Sequence, residues 1–289
     1  MHKLIFCLLL WGSLLPKAVA EVNITTTIRP LQLIAETILQ EHGNVTAIID
    51  ASQSPHHYSM SPADRVALAE ADMLIWIGPT LETYLADFFQ RAKASGKVLT
   101  VSENQGLTRH DIVAGQLDSH LWLDSDNAVL IAELITREVS ELDSANGASY
   151  LQNLNQFRVD IRNLNREIEK AVSASPRAEY AVYHNAYQYF EKQFGLQHQF
   201  AMLADPEVQP GIQEIVNLRR RFDDEKPACL LLEPDSNPDL VATALGGHEL
   251  TAVTIDLLGN RISSTQAGIQ SGYIEFMKNI ADDFQSCLY

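Results

Sequence analysis

Residues 147–173 read GASYLQNLNQFRVDIRNLNREIEKAVS. Within them Leu151, Leu154, Phe157, Ile161, Leu164, Ile168 and Val172 recur at steps of three or four, the repeat of one helix face. Some 25 residues at about 1.5 Å each make a rod of roughly 38 Å, and Ser175-Pro176 ends it. On either side of this rod the pattern is different: short apolar runs alternate with amphipathic stretches, the rhythm of a parallel sheet covered by helices. The expected fold is therefore α/β, with two lobes, each a parallel sheet flanked by helices, joined by one long backbone helix. The boundaries follow: an N-terminal lobe over 21–143, a linking helix over 144–175 and a C-terminal lobe over 176–289.

Upstream, VNITTTI (22–28) reads as a strand and Arg29-Pro30 opens a helix through about Gln40. VTAIID (45–50) is a second strand, followed by a loop from Ser54 to Met60. Ser61 then caps a helix with Pro62 at its first position, a strong start signal. MLIWIG (73–78) is a buried strand, Thr80 is expected to cap TLETYLADFFQRAKA, and KVLTVS (97–102) is a fourth strand. A loop over 102–119 leads to LWLD (121–124) and a helix from Asp126 to Leu142. Beyond the rod come EYAVY (179–183), a helix from Ala186, HQFAML (198–203) and a helix from Gly211. ACLLLE (228–233), a helix from Asn237, LTAVTI (250–255) and a last helix from about Gly268 complete the chain.

The first twenty residues stand apart. Lys3 supplies a basic start, Leu4 to Leu15 an apolar run, and Ala18-Val19-Ala20 an A-x-A cleavage site, which together read as a secretory signal peptide over 1–20. The apolar run is about twelve residues, short of the roughly twenty needed to span a bilayer. Cys7 lies inside that run behind Ile5 and Phe6, an unsuitable setting for lipid attachment. The mature chain is expected to begin near Glu21, soluble and outside the cytoplasm. Losing Lys3 and Lys17 moves the net charge from −16 to −18. That balance argues against nucleic acid, whose phosphates require a basic face, and against anionic membrane surfaces. Two cysteines remain, Cys229 and Cys287, and an even count in an oxidising compartment reads as one disulfide; two buried free thiols are the competing reading.

Three histidines have distinctive settings: His56 in SPHHYSM, His120 in DSHLWLD and His184 in VYHNAYQYF. Asp256 in TIDLLG is a fourth candidate. Imidazole nitrogen and carboxylate oxygen are zinc ligands, and three His with one carboxylate or water complete a tetrahedron. His184 and Asp256 directly follow strand-like runs, and the carboxyl ends of strands face the ligand crevice of open α/β sheets. His57 is adjacent to His56 and reads as a solvent or supporting residue, because neighbouring side chains seldom point into one site. His42, His110, His198 and His248 read as surface or packing residues. Ser54 and Ser61 lack the His-Asp company that marks a nucleophile.

An ordered set of segments now carries a resemblance: SPHHYSMSPAD, ADMLIWIGPTLETYL, SHLWLD, YHNAYQYFEKQFGL, ADPEVQPG, KPACLLLEP and TIDLLG. The chain resembles the metal-binding proteins of ABC transporters in the cluster A-I (family 9) group, and most closely its zinc-uptake members, from about Ile24 to the C-terminus. The resemblance implies two lobes linked by a backbone helix with the metal between them. It makes His56, His120 and His184 the ligands of a transported Zn²⁺, with Asp256 or water in the fourth position. It also implies delivery of the ion to a membrane permease, by a monomer that is not an enzyme. Manganese and iron members typically carry Glu as third ligand; here it is His184, and imidazole favours zinc over those harder ions. The chain departs from zinc members at Pro55, where some have Glu, at Leu257, where Pro is frequent, and at residues 103–118, which lack a long His-rich loop. A zinc hydrolase is the alternative class, since three His with an open position also describe catalytic zinc. No Glu stands beside a ligand in the H-E-x-x-H manner, however. A surface adhesin is a third reading that no residue supports.

Overall fold

The computed structural model describes residues 21–93, 96–173, 179–204, 206, 208–263 and 272–289. The proposed signal peptide and the start proposed for the last helix at Gly268 lie outside the described residues. Two four-stranded parallel sheets make up the molecule. The first has the order β2-β1-β3-β4, formed by β1 (Val22–Thr26), β2 (Gly43–Ala47), β3 (Met73–Trp76) and β4 (Val98–Thr100). The second has the order β10-β9-β7-β8 from β7 (Tyr180–His184), β8 (Phe200–Leu203), β9 (Cys229–Leu232) and β10 (Thr251–Thr254). Helices α1 (Arg29–Leu39), α2 (Pro62–Glu70) and α3 (Ala86–Lys93) connect the first set of strands, and α4 (Ser125–Leu142) follows it. In the second set α6 (Gln188–Phe194), α7 (Ile212–Glu225) and α8 (Pro238–Leu245) connect the strands, and α9 (Gly272–Leu288) closes the chain.

Between the two sheets runs α5 (Gly147–Ser173), whose 27 residues make a rod of about 40 Å. Its buried row is Tyr150, Leu154, Phe157, Ile161, Leu164, Ile168 and Val172. Leu151, assigned to that row from sequence, is instead 52 % exposed. Tyr150 takes its place because its ring fills the gap beside His42 while its hydroxyl donates to Asp143 at 2.7 Å. The helix packs on α1, α4 and α9, so both lobes rest on it. One apolar core extends from the first sheet through α1, α4, α5 and α9 to the near face of the second sheet. A smaller cluster fills the far face of the second sheet under α7 and α8.

Local departures from the sequence reading have physical causes. Ser61 caps α2 as expected, in a reciprocal capping box with Asp64. Thr80 caps nothing: the chain turns at Gly78, whose φ is +142°, and a Cβ there would lie 2.1 Å from Ser102 Oγ. Glu82 then folds back to accept from the amides of Ile77 and Gly78 at 3.2 and 2.9 Å, which delays α3 to Ala86. The loop over 102–119 holds a small antiparallel hairpin of β5 (Asp111–Val113) and β6 (Gln116–Leu117). LWLD forms a single 3₁₀ turn over Leu121–Leu123 that buries Trp122. Cys229 in β9 and Cys287 in α9 form a disulfide, closing a loop of 58 residues. None of the described helices is long and apolar enough to cross a membrane.

Candidate metal centre

The site is assembled from strand ends. His184 is the last residue of β7, at the carboxyl edge of the second sheet. His120 precedes the 3₁₀ turn that leads into α4, and His56 lies on the loop between β2 and α2. Successive members of this trio are 64 positions apart in the chain, yet their candidate ligand atoms all lie within 4.8 Å of one another. The ring centroids are 5.3 Å apart for His120 and His184, 5.5 Å for His56 and His120, and 5.8 Å for His56 and His184. The Nε2 atoms of His120 and His184 stand 3.4 Å apart. A tetrahedral zinc with nitrogen bonds near 2.05 Å spaces its ligands by about 3.3 Å. The His120–His184 spacing fits one edge of such a tetrahedron.

Each of those two rings is held at its other nitrogen. His120 Nδ1 lies 2.7 Å from Asp118 Oδ1, and His184 Nδ1 lies 2.6 Å from Glu233 Oε1. An ionised carboxylate only accepts, so each Nδ1 carries a proton, and in the neutral ring each Nε2 keeps its lone pair. His120 and His184 are 3 % and 4 % exposed. Burial works against protonation of His184, but the Glu233 carboxylate outweighs it and raises the pKa above the ordinary histidine value. Burial alone would raise Asp118; the His120 ring, its backbone N–H and the Gln188 amide overcome this and hold the carboxyl below its usual range. His56 is different. Burial, then the neighbouring rings of His120, His184 and His57, push its pKa down to about 2. Its buried Nε2 has no hydrogen-bond partner.

Asp256 follows β10 and lines the same cavity, but it is not one of the three closely grouped residues. Its oxygens accept from the amides of Leu258 and Arg261 at 3.2 and 2.8 Å, and Arg261 Nε is 3.8 Å away. Arg261 also pairs with Asp283 on α9. The cavity measures about 40 Å³, with Trp122, Pro206 and Asp235 among its other walls. Trp122 Nε1 donates to Leu257 O at 2.9 Å, and Arg29 donates to Gly259 O and Ile262 O at 3.2 and 2.7 Å, fastening the two lobes on either side of the site. His57 and His248 are exposed; His42, His110 and His198 are half-buried outside the cavity. Sequence reading missed Asp118 and Glu233. Each had a visible signal: an acid two residues before a candidate His, and an acid at the carboxyl end of an apolar strand.

Two parallel α/β lobes on a backbone helix, with imidazoles converging between them, define a two-lobed metal-binding protein. The chain belongs to the family of zinc-uptake complex component A, periplasmic (ZnuA), whose model matches residues 24–287. It is 25 % identical to the high-affinity zinc uptake system protein ZnuA of Brucella abortus over 92 % of this chain and 91 % of the relative. The ZnuA of Yersinia pestis is 26 % identical over 94 % of this chain and 93 % of its own length. Among solved structures, one of ZnuA superposes with a TM-score of 0.78 at 22 % identity, covering 93 % of this chain and all of the other. The periplasmic zinc-binding protein TroA of Treponema pallidum gives 0.80 at 18 % identity, covering 93 % of this chain and 99 % of the other. At those identities the superpositions establish the fold alone.

Proposed function

We propose that this protein captures Zn²⁺ in the periplasm and delivers it to the membrane permease of an ABC transporter for import. His56, His120 and His184 are the ligands, with Asp256 or a water molecule completing the tetrahedron. The lobes over 21–143 and 176–289 enclose the ion, the helix over 144–175 joins them, and the protein acts as a monomer. The observation that carries this reading is the trio itself: three imidazoles from distant segments within 4.8 Å, two with Nε2 atoms at the spacing of a tetrahedral edge. Family membership and the names of the relatives support zinc as cargo. All-imidazole ligation favours zinc over manganese or iron.

A zinc hydrolase needs room for a substrate beside the metal. The cavity of about 40 Å³ has space for an ion and a few waters, each occupying roughly 10–15 Å³ of such a cavity. That favours cargo over catalysis. Calorimetric titration tests the proposal: one Zn²⁺ per chain is expected, with affinity falling by orders of magnitude in the His184→Ala protein. Full affinity in that variant would reject the assignment.

A further inference from the structure

We infer that Glu233 and Asp118 are positioning residues of the zinc site, and that their two negative charges make it selective for a divalent over a monovalent soft cation. The inference rests on the zinc-binding reading above. Its basis is the pairing of each buried ring with a nearly buried carboxylate. The Asp118 side chain is 0 % exposed and that of Glu233 is 9 % exposed. Both are themselves fixed by the segment that carries His184. The Tyr187 hydroxyl donates to Glu233 Oε1 at 3.0 Å, and the Gln188 amide donates to Asp118 Oδ2 at 2.6 Å. Tyr189 adds a hydrogen bond to Asp118 O at 2.8 Å. Residues 184–189 thus supply one candidate ligand and hold the supports of two.

With both Nδ1 atoms donating, neutral rings at His120 and His184 turn their Nε2 lone pairs toward one another across 3.4 Å. Such an arrangement is unfavourable without a cation and is relieved by one. Charge follows the same logic. Three neutral imidazoles add nothing, so Asp118 and Glu233 balance a 2+ ion within a low-dielectric site, where charge balance weighs heavily. Asp256 shares its charge with Arg261 and two backbone amides, and Asp235 on the cavity wall is exposed to solvent, so each adds less to this balance than the two buried carboxylates. A monovalent ion of the same softness would leave one negative charge uncompensated. Outer-shell partners of this type are worth about 10- to 100-fold in metal affinity.

The test compares wild type with Glu233→Gln, which keeps an acceptor for Nδ1–H but removes the charge, and Glu233→Ala, which removes both. In the metal-free proteins, long-range ¹H–¹⁵N spectra of the imidazoles report the His184 tautomer. Competition titrations report Zn²⁺ and Cu⁺ affinity, and Co²⁺ absorption reports ligand geometry. Glu233→Ala is expected to lose the fixed Nδ1–H tautomer, to alter the Co²⁺ spectrum and to weaken Zn²⁺ by about 10- to 100-fold. Glu233→Gln is expected to keep tautomer and spectrum, to weaken Zn²⁺ by roughly tenfold and to leave Cu⁺ within a few-fold. Wild-type tautomer and wild-type zinc affinity in Glu233→Ala would overturn positioning; equal losses of Zn²⁺ and Cu⁺ in Glu233→Gln would overturn charge selection. Should Glu233→Ala fail to fold, Asp118→Asn and Tyr187→Phe are read by the same measurements. A wild-type protein without zinc affinity would instead refute the underlying function, while its tautomer still decides the positioning role.

Discussion

Asp256 is a carboxylate whose oxygens are already engaged by two backbone amides with Arg261 alongside. Removing it leaves a corner that water can fill, whereas His120 and His184 are each anchored by a buried acid. Asp256→Ala is therefore expected to weaken zinc less than His120→Ala in the same chelator competition; the opposite order would make Asp256 a full ligand. A second residue links structure to pH. Burial raises Glu82 to about 7 against the donors Thr27, Gly78 and Ile77, while its ordinary value is 4.5. Between those values the native protein holds a proton that the unfolded chain has lost, so stability falls as pH rises through this window and levels off above it. Glu82→Gln carries no such proton and should gain on wild type by about 2 kcal/mol between pH 5 and pH 8, given about 1.4 kcal/mol per pKa unit. Urea unfolding at the two pH values checks this: an equal difference at both would mean Glu82 stays ionised in the fold throughout.

Among the elements, α5 separates buried from exposed apolar residues most sharply. Phe157 is 0 % exposed and meets Tyr273 of α9 edge-on at 5.9 Å between centroids. Phe157→Ala is expected to cost about 3–5 kcal/mol, while Leu151→Ala, on the outer face, should stay within about 0.5 kcal/mol. Equal effects in chemical denaturation would contradict the assigned face. The disulfide acts at the same scale. By tying β9 to α9 across 58 residues, it restricts the unfolded chain by about 4 kcal/mol on the chain-entropy model. Cys287→Ser should show most of that loss, and a mutant as stable as the oxidised protein would mean the bridge contributes only locally.

For the whole molecule, the continuous core is the controlling feature. Because the same buried cluster joins the first sheet, the backbone helix, α9 and the inner face of the second sheet, the lobes are expected to unfold together. Scanning calorimetry of the metal-free protein should give one endotherm whose calorimetric and van't Hoff enthalpies agree; two resolved transitions would show independent lobes. Zinc binding the native state should raise stability by about 2.7 kcal/mol at a free concentration 100 times Kd, and chelation should reverse it. A melting temperature unmoved by zinc would be inconsistent with a preformed site.

Hydrophobic periodicity is a property of neighbouring residues, so the parallel-sheet rhythm and the long helix of 147–173 could be read from the chain directly. The settings of His56, His120 and His184 were legible for a related reason: each stands at the edge of a recognisable strand, cap or loop. Which residue of α5 turns inward was not, because Tyr150 displaces Leu151 through a hydrogen bond to Asp143 and a ring contact with His42. Neither was the late start of α3, which depends on Glu82 reaching back to the turn at Gly78. The supports Asp118 and Glu233 and the engagement of Asp256 by Arg261 belong to the same group. These outcomes depend on which side chains meet in the folded chain, whether two residues apart, as Asp118 and His120 are, or 49 apart, as His184 and Glu233 are: local pattern places a residue on an element, while its charge, tautomer and freedom to bind an ion are set by the residues that fold against it.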